Sequence, residues 1–361
     1  MRFFGQGCAF VTWLSVLFLA SPAAAQEAAC SAETEVVRGE KGARLDAFVQ
    51  GLSSKGFSGV VLVAEKGEIL LYKAYGLADR GKSIPNTVNT RFEVASITKV
   101  FTAAAVLQLE MQGKLHTDDS LNSQLGEFPQ EKAGATIHHL LTHTAGLAKE
   151  GAALDGGSRE AFIRAMKESP IDSPSGKEYR YTNAGYSLLA GLVERTSGVA
   201  FEAYLRKNLF EPTGMHCARF RPEKPAAEIV YAIGYEDKAA RDPAPVGAYL
   251  WGTRGAGGVI TTASDLYRWD RALRGDSILS ASAKRKMFMA YVRDEGYGWH
   301  VAKTSRGTTT HFRGGGMPGF ESEFVRFPNE DAVIIFVINT RQERFRLPLW
   351  KGLEEILFSK P

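Results

Sequence analysis

The sequence predicts an α+β fold: an antiparallel β-sheet flanked by helices, with an all-α lobe inserted at approximately residues 115–215. Three observations carry that expectation. Two apolar, β-rich runs, Phe57–Glu65 and Glu68–Gly76, are separated only by Lys66-Gly67, the pattern of a hairpin. Further β-rich runs lie near the C-terminus at Gly298–Lys303, Thr308–Arg313, Phe320–Phe327 and Ala332–Asn339, each bounded by Gly, Pro or Asn turns. The stretch between the two groups is helical in pattern. Short turns favour antiparallel neighbours, so a single sheet on which the chain ends meet is the simplest arrangement.

The bulk numbers agree. With 361 residues, 44% hydrophobic and 23% charged, the chain suits one large domain or two interleaved lobes. The formal charge is +4, and Lys and Arg are scattered, which does not indicate a nucleic-acid groove. Residues 1–25 read as a signal peptide. Arg2 supplies the positive start, Cys8–Ala20 the apolar run, Pro22 a break and Ala23-Ala24-Ala25 a cleavage site before Gln26. The apolar run is short for a membrane span. The expected mature chain, 26–361, is periplasmic or secreted, with no span. Cys8 leaves with the signal. Cys30 and Cys217 remain, and export permits a disulfide between them; two unrelated thiols are the alternative.

In chain order, Leu45–Gly51 ends an amphipathic helix, and Ala78–Thr90 is a polar loop after the hairpin. Phe92–Met111 follows. It places Ser96 and Lys99 three residues apart, with Val100, Ala103, Ala104, Leu107 and Met111 at helical spacing. Residues at i and i+3 share one helix face, and a nearby amine can activate a serine hydroxyl. Short Ser/Lys pairs also arise by chance, so this spacing needs support from the rest of the chain.

Thr136–Leu147 is a short helix with Thr136 as N-cap and Gly146 as stop. His139 and His143 are four apart, but Leu140 stands where a zinc-protease pattern needs Glu. His138, His139 and His143 are therefore read as structural, and no metal or other cofactor is expected. Ser158–Lys167 reads as a helix, and Ser173–Gly176 as a turn. Tyr181 and Asn183, two apart, point the same way from an extended segment. Leu188, Leu189 and Leu192 open a helix ending near Gly198, and Phe201–Leu209 is another. Gly255–Ala263 is glycine-rich, but no Gly-Lys-Ser/Thr follows it, so it is not a phosphate loop. It leads into a helix at Ser264–Leu273, and Arg346–Phe358 closes the chain as an amphipathic helix.

Three polar clusters stand out: Ser96/Lys99, Tyr181/Asn183 and His311–Gly319. With S-I-T-K at Ser96–Lys99, Y-T-N at Tyr181–Asn183 and a basic-plus-glycine strand at Arg313–Gly315, the chain resembles the serine β-lactamase and penicillin-recognising hydrolase family. It is most similar to the class C, D-aminopeptidase and esterase branch. HLLTHTAGL at His139–Leu147, LFEPTGM at Leu209–Met215, GAGGVITTASDL at Gly255–Leu266 and PGF at Pro318–Phe320 extend the likeness. The resemblance implies the β-lactamase/transpeptidase-like fold and a role for each cluster. Ser96 would be the acyl-enzyme nucleophile, Lys99 would ease its deprotonation, and Tyr181 would carry the proton. Asn183 would bind the substrate amide or orient Lys99, and the backbone N–H groups of Ser96 and Gly316 would form the oxyanion hole. Gly315 would allow close backbone approach.

One position departs from the resemblance. The family commonly has His or Lys where Arg313 stands. Arginine keeps the charge, cannot take part in proton transfer, and suits a substrate carboxylate. His311, two residues earlier on the strand, would share its face, so both are expected to look into the cleft as substrate-binding residues. The implied function is an exported serine hydrolase of amides or esters acting on a small-molecule or peptide substrate: a β-lactam, a D-amino-acid peptide or an ester. The alternative is a non-hydrolytic binder of peptidoglycan or penicillin on the same scaffold.

Overall fold

The computed structural model describes residue 30 and residues 33–148, 157–221, 230–236, 250–341 and 343–359. The expected signal peptide lies outside the described residues. Seven strands form one sheet: β1 (Val36–Val37), β2 (Gly59–Glu65), β3 (Glu68–Tyr75), β4 (His300–Lys303), β5 (Thr309–Met317), β6 (Phe320–Phe327) and β7 (Ala332–Ile338). Their spatial order is β1-β3-β2-β7-β6-β5-β4, and every neighbouring pair is antiparallel. The N-terminal hairpin therefore pairs directly with the last strand, Val61 opposite Phe336. Lys66 and Gly67 both take positive φ, 52° and 79°, which is what a tight hairpin turn with right-handed strand twist requires.

The two central strands are apolar throughout because both faces of the sheet are covered. Alternation sorts their side chains. Val60, Leu62, Val333, Ile335 and Val337 join one core, and Val61, Val63, Ile334, Phe336 and Ile338 the other. The second core is closed by α1 (Gly39–Ser53) through Leu45 and Val49, and by α5 (Glu343–Phe358) through Leu349, Leu353 and Leu357. The first is closed by α2 (Thr98–Met111), α3 (Asn183–Ser197) and α4 (Ala263–Arg274). Helix α2 is buried almost all round, as suits a helix at the centre of a molecule. Only its end escapes: Met111, read as part of the apolar face, is 48% exposed.

Between α2 and Thr213 every regular element among the described residues is helical. Helix α3 begins at Asn183, earlier than its leucines suggest, because the Thr182 hydroxyl accepts from the Ala184 N–H and caps it. It ends at Gly198, whose φ of 77° is the left-handed C-cap. Ala78–Thr90 is not wholly a loop: Leu77–Asp79 pairs with Ile84–Pro85 in a small ribbon. Strand β5 runs past Arg313 through the glycines to Met317, because β6 pairs with it along that whole length. No helix among the described residues is long and apolar enough to cross a membrane.

Cys30 and Cys217 are joined by a disulfide with Cα atoms 5.3 Å apart, closing a loop with a sequence separation of 187. Constraining so long a loop in the unfolded chain is worth about 5 kcal/mol in the chain-entropy account. Thiol titration of a denatured, non-reduced chain beginning at Gln26 should find no free thiol. Cys30→Ser combined with Cys217→Ser should lower Tm by several degrees; two titratable thiols would contradict the pairing.

Candidate active site

Ser96 sits on a 3-10 turn, Ala95–Ile97, that leads directly into α2. Ala95 holds a φ of 45°, an uncommon left-handed conformation for a residue with a side chain. The turn leaves Ser96 half-buried and puts Lys99 in the first turn of α2, with no solvent exposure. The Lys99 amine has three partners. It donates to Ser96 Oγ at 3.1 Å, to Asn183 Oδ1 at 2.8 Å and to the Ala256 carbonyl at 3.1 Å. An ammonium has three protons, so these acceptors use its whole donor capacity. Tyr181 donates its hydroxyl to Ser96 Oγ at 2.9 Å. The serine oxygen thus lies between an amine and a phenol.

Burial depresses the Lys99 pKa, reinforced by the Arg313 charge and opposed by Tyr181 and Glu295; the net direction is down. Burial alone would raise the Tyr181 phenol. The charges of Lys99 and Arg313 and the hydrogen bonds with Lys99 and Ser96 outweigh it, and the phenol is lowered. Tyr181 as a residue is 37% exposed.

A cavity of about 220 Å³ opens in front of Ser96 and is lined in part by Asn183, Ala256, Gly257, Gly316 and Met317. Glu93 and Arg221, joined as an ion pair, complete one wall. A larger hollow of about 770 Å³ lies beside β4 and α5, but it contains none of these groups and is not the site. Strand β5 meets the Ser96 turn closely. A Cβ on Gly315 would stand 2.2 Å from the Val94 carbonyl oxygen and 3.1 Å from the Ser96 nitrogen, so only glycine fits. Gly316 is next, exposed, on the same cavity as Ser96.

Two expected substrate-binding residues lie elsewhere. Arg313 was expected to look into the cleft, but it is 1% exposed. Its guanidinium pairs with Glu295, and its Nε donates to the Gly298 carbonyl at 2.8 Å. A guanidinium buried on a carboxylate is not offered to a substrate; it acts on the site as a fixed charge behind Lys99 and Tyr181. His311 stacks on Phe288 with ring centroids 4.1 Å apart, and burial, assisted by Arg326, pushes its pKa down to about 3. It is a neutral core residue, because the strand face it shares with Arg313 is covered by helices at that depth.

Two side chains that the sequence did not place in the site support Tyr181. His143, at a φ of 57°, is fully enclosed with its ring 4.4 Å from the Tyr181 ring, and its Nδ1 accepts from the Thr182 N–H at 3.3 Å. Burial, with the neighbouring Arg313 and Lys99 charges, holds its pKa well below the usual value, so the ring is neutral. Glu295 lies fully buried in the turn before β4 and accepts from both Arg313 and the Tyr179 hydroxyl. No local pattern marks Glu295, whereas His143 lies within the HLLTHTAGL stretch. The other two histidines have separate partners: His139 accepts from the Thr136 N–H in a capping box, and His138 bonds the Tyr297 hydroxyl at 2.7 Å.

The family model described as Beta-lactamase matches residues 45–357. Penicillin-binding protein 4* of Bacillus subtilis (strain 168) is 30% identical over 336 residues, covering 84% of this chain and 73% of that protein. Esterase EstB of Burkholderia gladioli is 36% identical over 218 residues, covering 54% of this chain and 55% of that protein. The crystal structure of a penicillin-binding protein from Bacillus halodurans superposes with a TM-score of 0.74 at 26% identity, over 89% of this chain and all of that one (100%). The matched span takes in both strand groups, the helical insertion and the Ser96 turn, and on that ground the chain belongs to the Beta-lactamase family of serine hydrolases.

Proposed function

We propose that the protein is an exported hydrolase that cleaves amide or ester bonds through an acyl-enzyme on Ser96. The observation that carries this reading is the pair of hydrogen bonds, from Lys99 and from Tyr181, that converge on one serine oxygen. A serine hydroxyl is a poor nucleophile until a base removes its proton. In the reactive state Tyr181 is a phenolate, favoured by the Lys99 and Arg313 charges, and it takes the Ser96 proton as Oγ bonds to the acyl carbonyl carbon. The carbonyl oxygen becomes an oxyanion held by the Ser96 and Gly316 N–H groups; donors of this kind contribute roughly 3–4 kcal/mol. Tyr181 returns the proton to the leaving nitrogen or oxygen as its bond to carbon breaks. Water, deprotonated by the same phenolate, then releases the acid and restores Ser96. Asn183 keeps the Lys99 amine aimed at Ser96 throughout.

Small esters and D-amino-acid peptides suit the site better than β-lactams. The third-motif cation is withdrawn onto Glu295, and the arginine on the cavity wall, Arg221, is paired with Glu93, so the carboxylate that most β-lactams carry would meet a guanidinium already engaged by a carboxylate. A panel of nitrocefin, short-chain p-nitrophenyl esters and D-Ala-D-Ala peptides separates these classes. The esters or peptides should turn over at least about tenfold better than nitrocefin in kcat/KM, and Ser96→Ala should abolish turnover by about a thousandfold or more. A wild-type protein that turns over nothing in the panel would favour the non-hydrolytic binder, and unchanged turnover in Ser96→Ala would refute the mechanism.

The Arg313 charge also predicts a pH effect. Removing a fixed cation raises the pKa of a phenol beside it. In Arg313→Gln the limb on which kcat/KM for p-nitrophenyl acetate rises with pH should move to higher pH, while Arg313→Lys should restore it. An unmoved limb in Arg313→Gln would show that the charge does not act on the base.

A further inference from the structure

The faces of β5 differ in what they offer. Arg313, Gly315 and Met317 look toward the helical side, and Gly314 and Gly316 toward α5. At Gly314 the room for a side chain is already filled by Arg346 of α5, which would stand 1.7 Å from a Cβ there. At Gly316 nothing lies within 4 Å of that point. Gly316 lines both the Ser96 cavity and a second cavity of about 400 Å³.

The floor of the second cavity is acidic. Glu321 and Glu323 stand on β6 opposite Gly316 and Gly314, on the same sheet face, and both line it. Glu323 is completely buried. Its Oε2 accepts from Arg346, but its Oε1 has no hydrogen-bond partner. A buried carboxylate oxygen without a donor is costly, and a donor supplied by a ligand removes that cost. Burial raises the Glu323 carboxyl against the pull of Arg346, so a second cation would favour its ionised form. The wall is Leu347, 52% exposed, and Trp350, with Arg341 at the rim. An anionic ligand group would meet two carboxylates on this floor; of the two guanidiniums that line the cavity, Arg346 is engaged by Glu323 and Arg341 stands exposed at the rim.

We propose that this second cavity is a substrate subsite for an ammonium group, which donates to Glu323 Oε1 beside Glu321 while its apolar stem lies on Leu347 and Trp350. The inference rests on Ser96 being the acyl-enzyme nucleophile, and it adds that preferred substrates carry an amine a short chain away from the scissile carbonyl. The amine can belong to the acyl part or to the leaving group. Two matched pairs distinguish these: p-nitrophenyl ε-aminocaproate against p-nitrophenyl caproate, and S-aminopentyl thioacetate against S-pentyl thioacetate. In one pair the amine-bearing member should have a kcat/KM about tenfold higher, through a lower KM, as expected for one charge-assisted hydrogen bond. Glu323→Gln should bring that ratio to about one. Glu321→Gln, which leaves the Glu323–Arg346 pair in place, should reduce it and serves if Glu323→Gln does not fold. Ratios within twofold of one in both wild-type pairs, or a preference that survives both variants, would overturn the subsite. Each ratio is internal to one protein, so this failure is distinct from failure of the hydrolase reading, in which wild type would cleave neither member of either pair.

Discussion

One buried amine organises this molecule. Lys99 has no access to water, and its three protons find three acceptors on three separate segments: the Ser96 turn, the start of α3 and the glycine-rich stretch at Ala256. Leaving any of those bonds unmade would strand a donor in a low-dielectric interior, a cost comparable to a large share of a domain's net stability. The same bonds that stabilise the amine therefore fix the distance between Ser96 and Asn183, and they do so before any substrate arrives. In the proposed mechanism, preorganisation of this kind leaves little reorganisation when charge develops at the serine.

The glycines around the site follow from that geometry. Gly315 brings β5 against the Ser96 turn, and Gly255 does the same against α3, where a Cβ would stand 2.1 Å from the Tyr186 carbonyl oxygen. Thr102 Oγ1 donates to the Gly255 carbonyl at 2.7 Å, one turn along α2 from Lys99. The strand, the helix and the loop thus close on the amine from three sides. The charge balance is equally local. Arg313 adds a second cation, Glu295 compensates it, and His143 stays neutral because burial, reinforced by those two charges, disfavours a third.

Much of this was legible in the sequence, for reasons that differ by residue. Ser96 and Lys99 are close in sequence, so helical spacing alone puts them together. Apolar, β-rich runs and tight turns identified every strand of the sheet but the two-residue β1, because a sheet covered on both faces needs apolar runs bounded by turn residues. Tyr181 and Asn183 came from motif order, since no local rule brings residues 85 and 84 positions away to Ser96 and Lys99. Arg313 was read on the correct face but in the wrong role. Its partner Glu295 sits in an irregular turn with no pattern of its own, and without that partner an arginine beside a cleft reads as a substrate ligand. His311 failed similarly: strand alternation gives the face of a residue, not what covers that face at its depth.

The central claim is that Ser96, flanked by Lys99 and Tyr181, is the reactive nucleophile of this chain. Peptide mapping by mass spectrometry after exposure to a fluorophosphonate tests it most directly. A single phosphonyl adduct on the peptide carrying Ser96, absent in Ser96→Ala and slowed at least about a hundredfold in Tyr181→Phe, is the predicted result. An adduct on another residue, or an equal rate of labelling in Tyr181→Phe, would contradict the account.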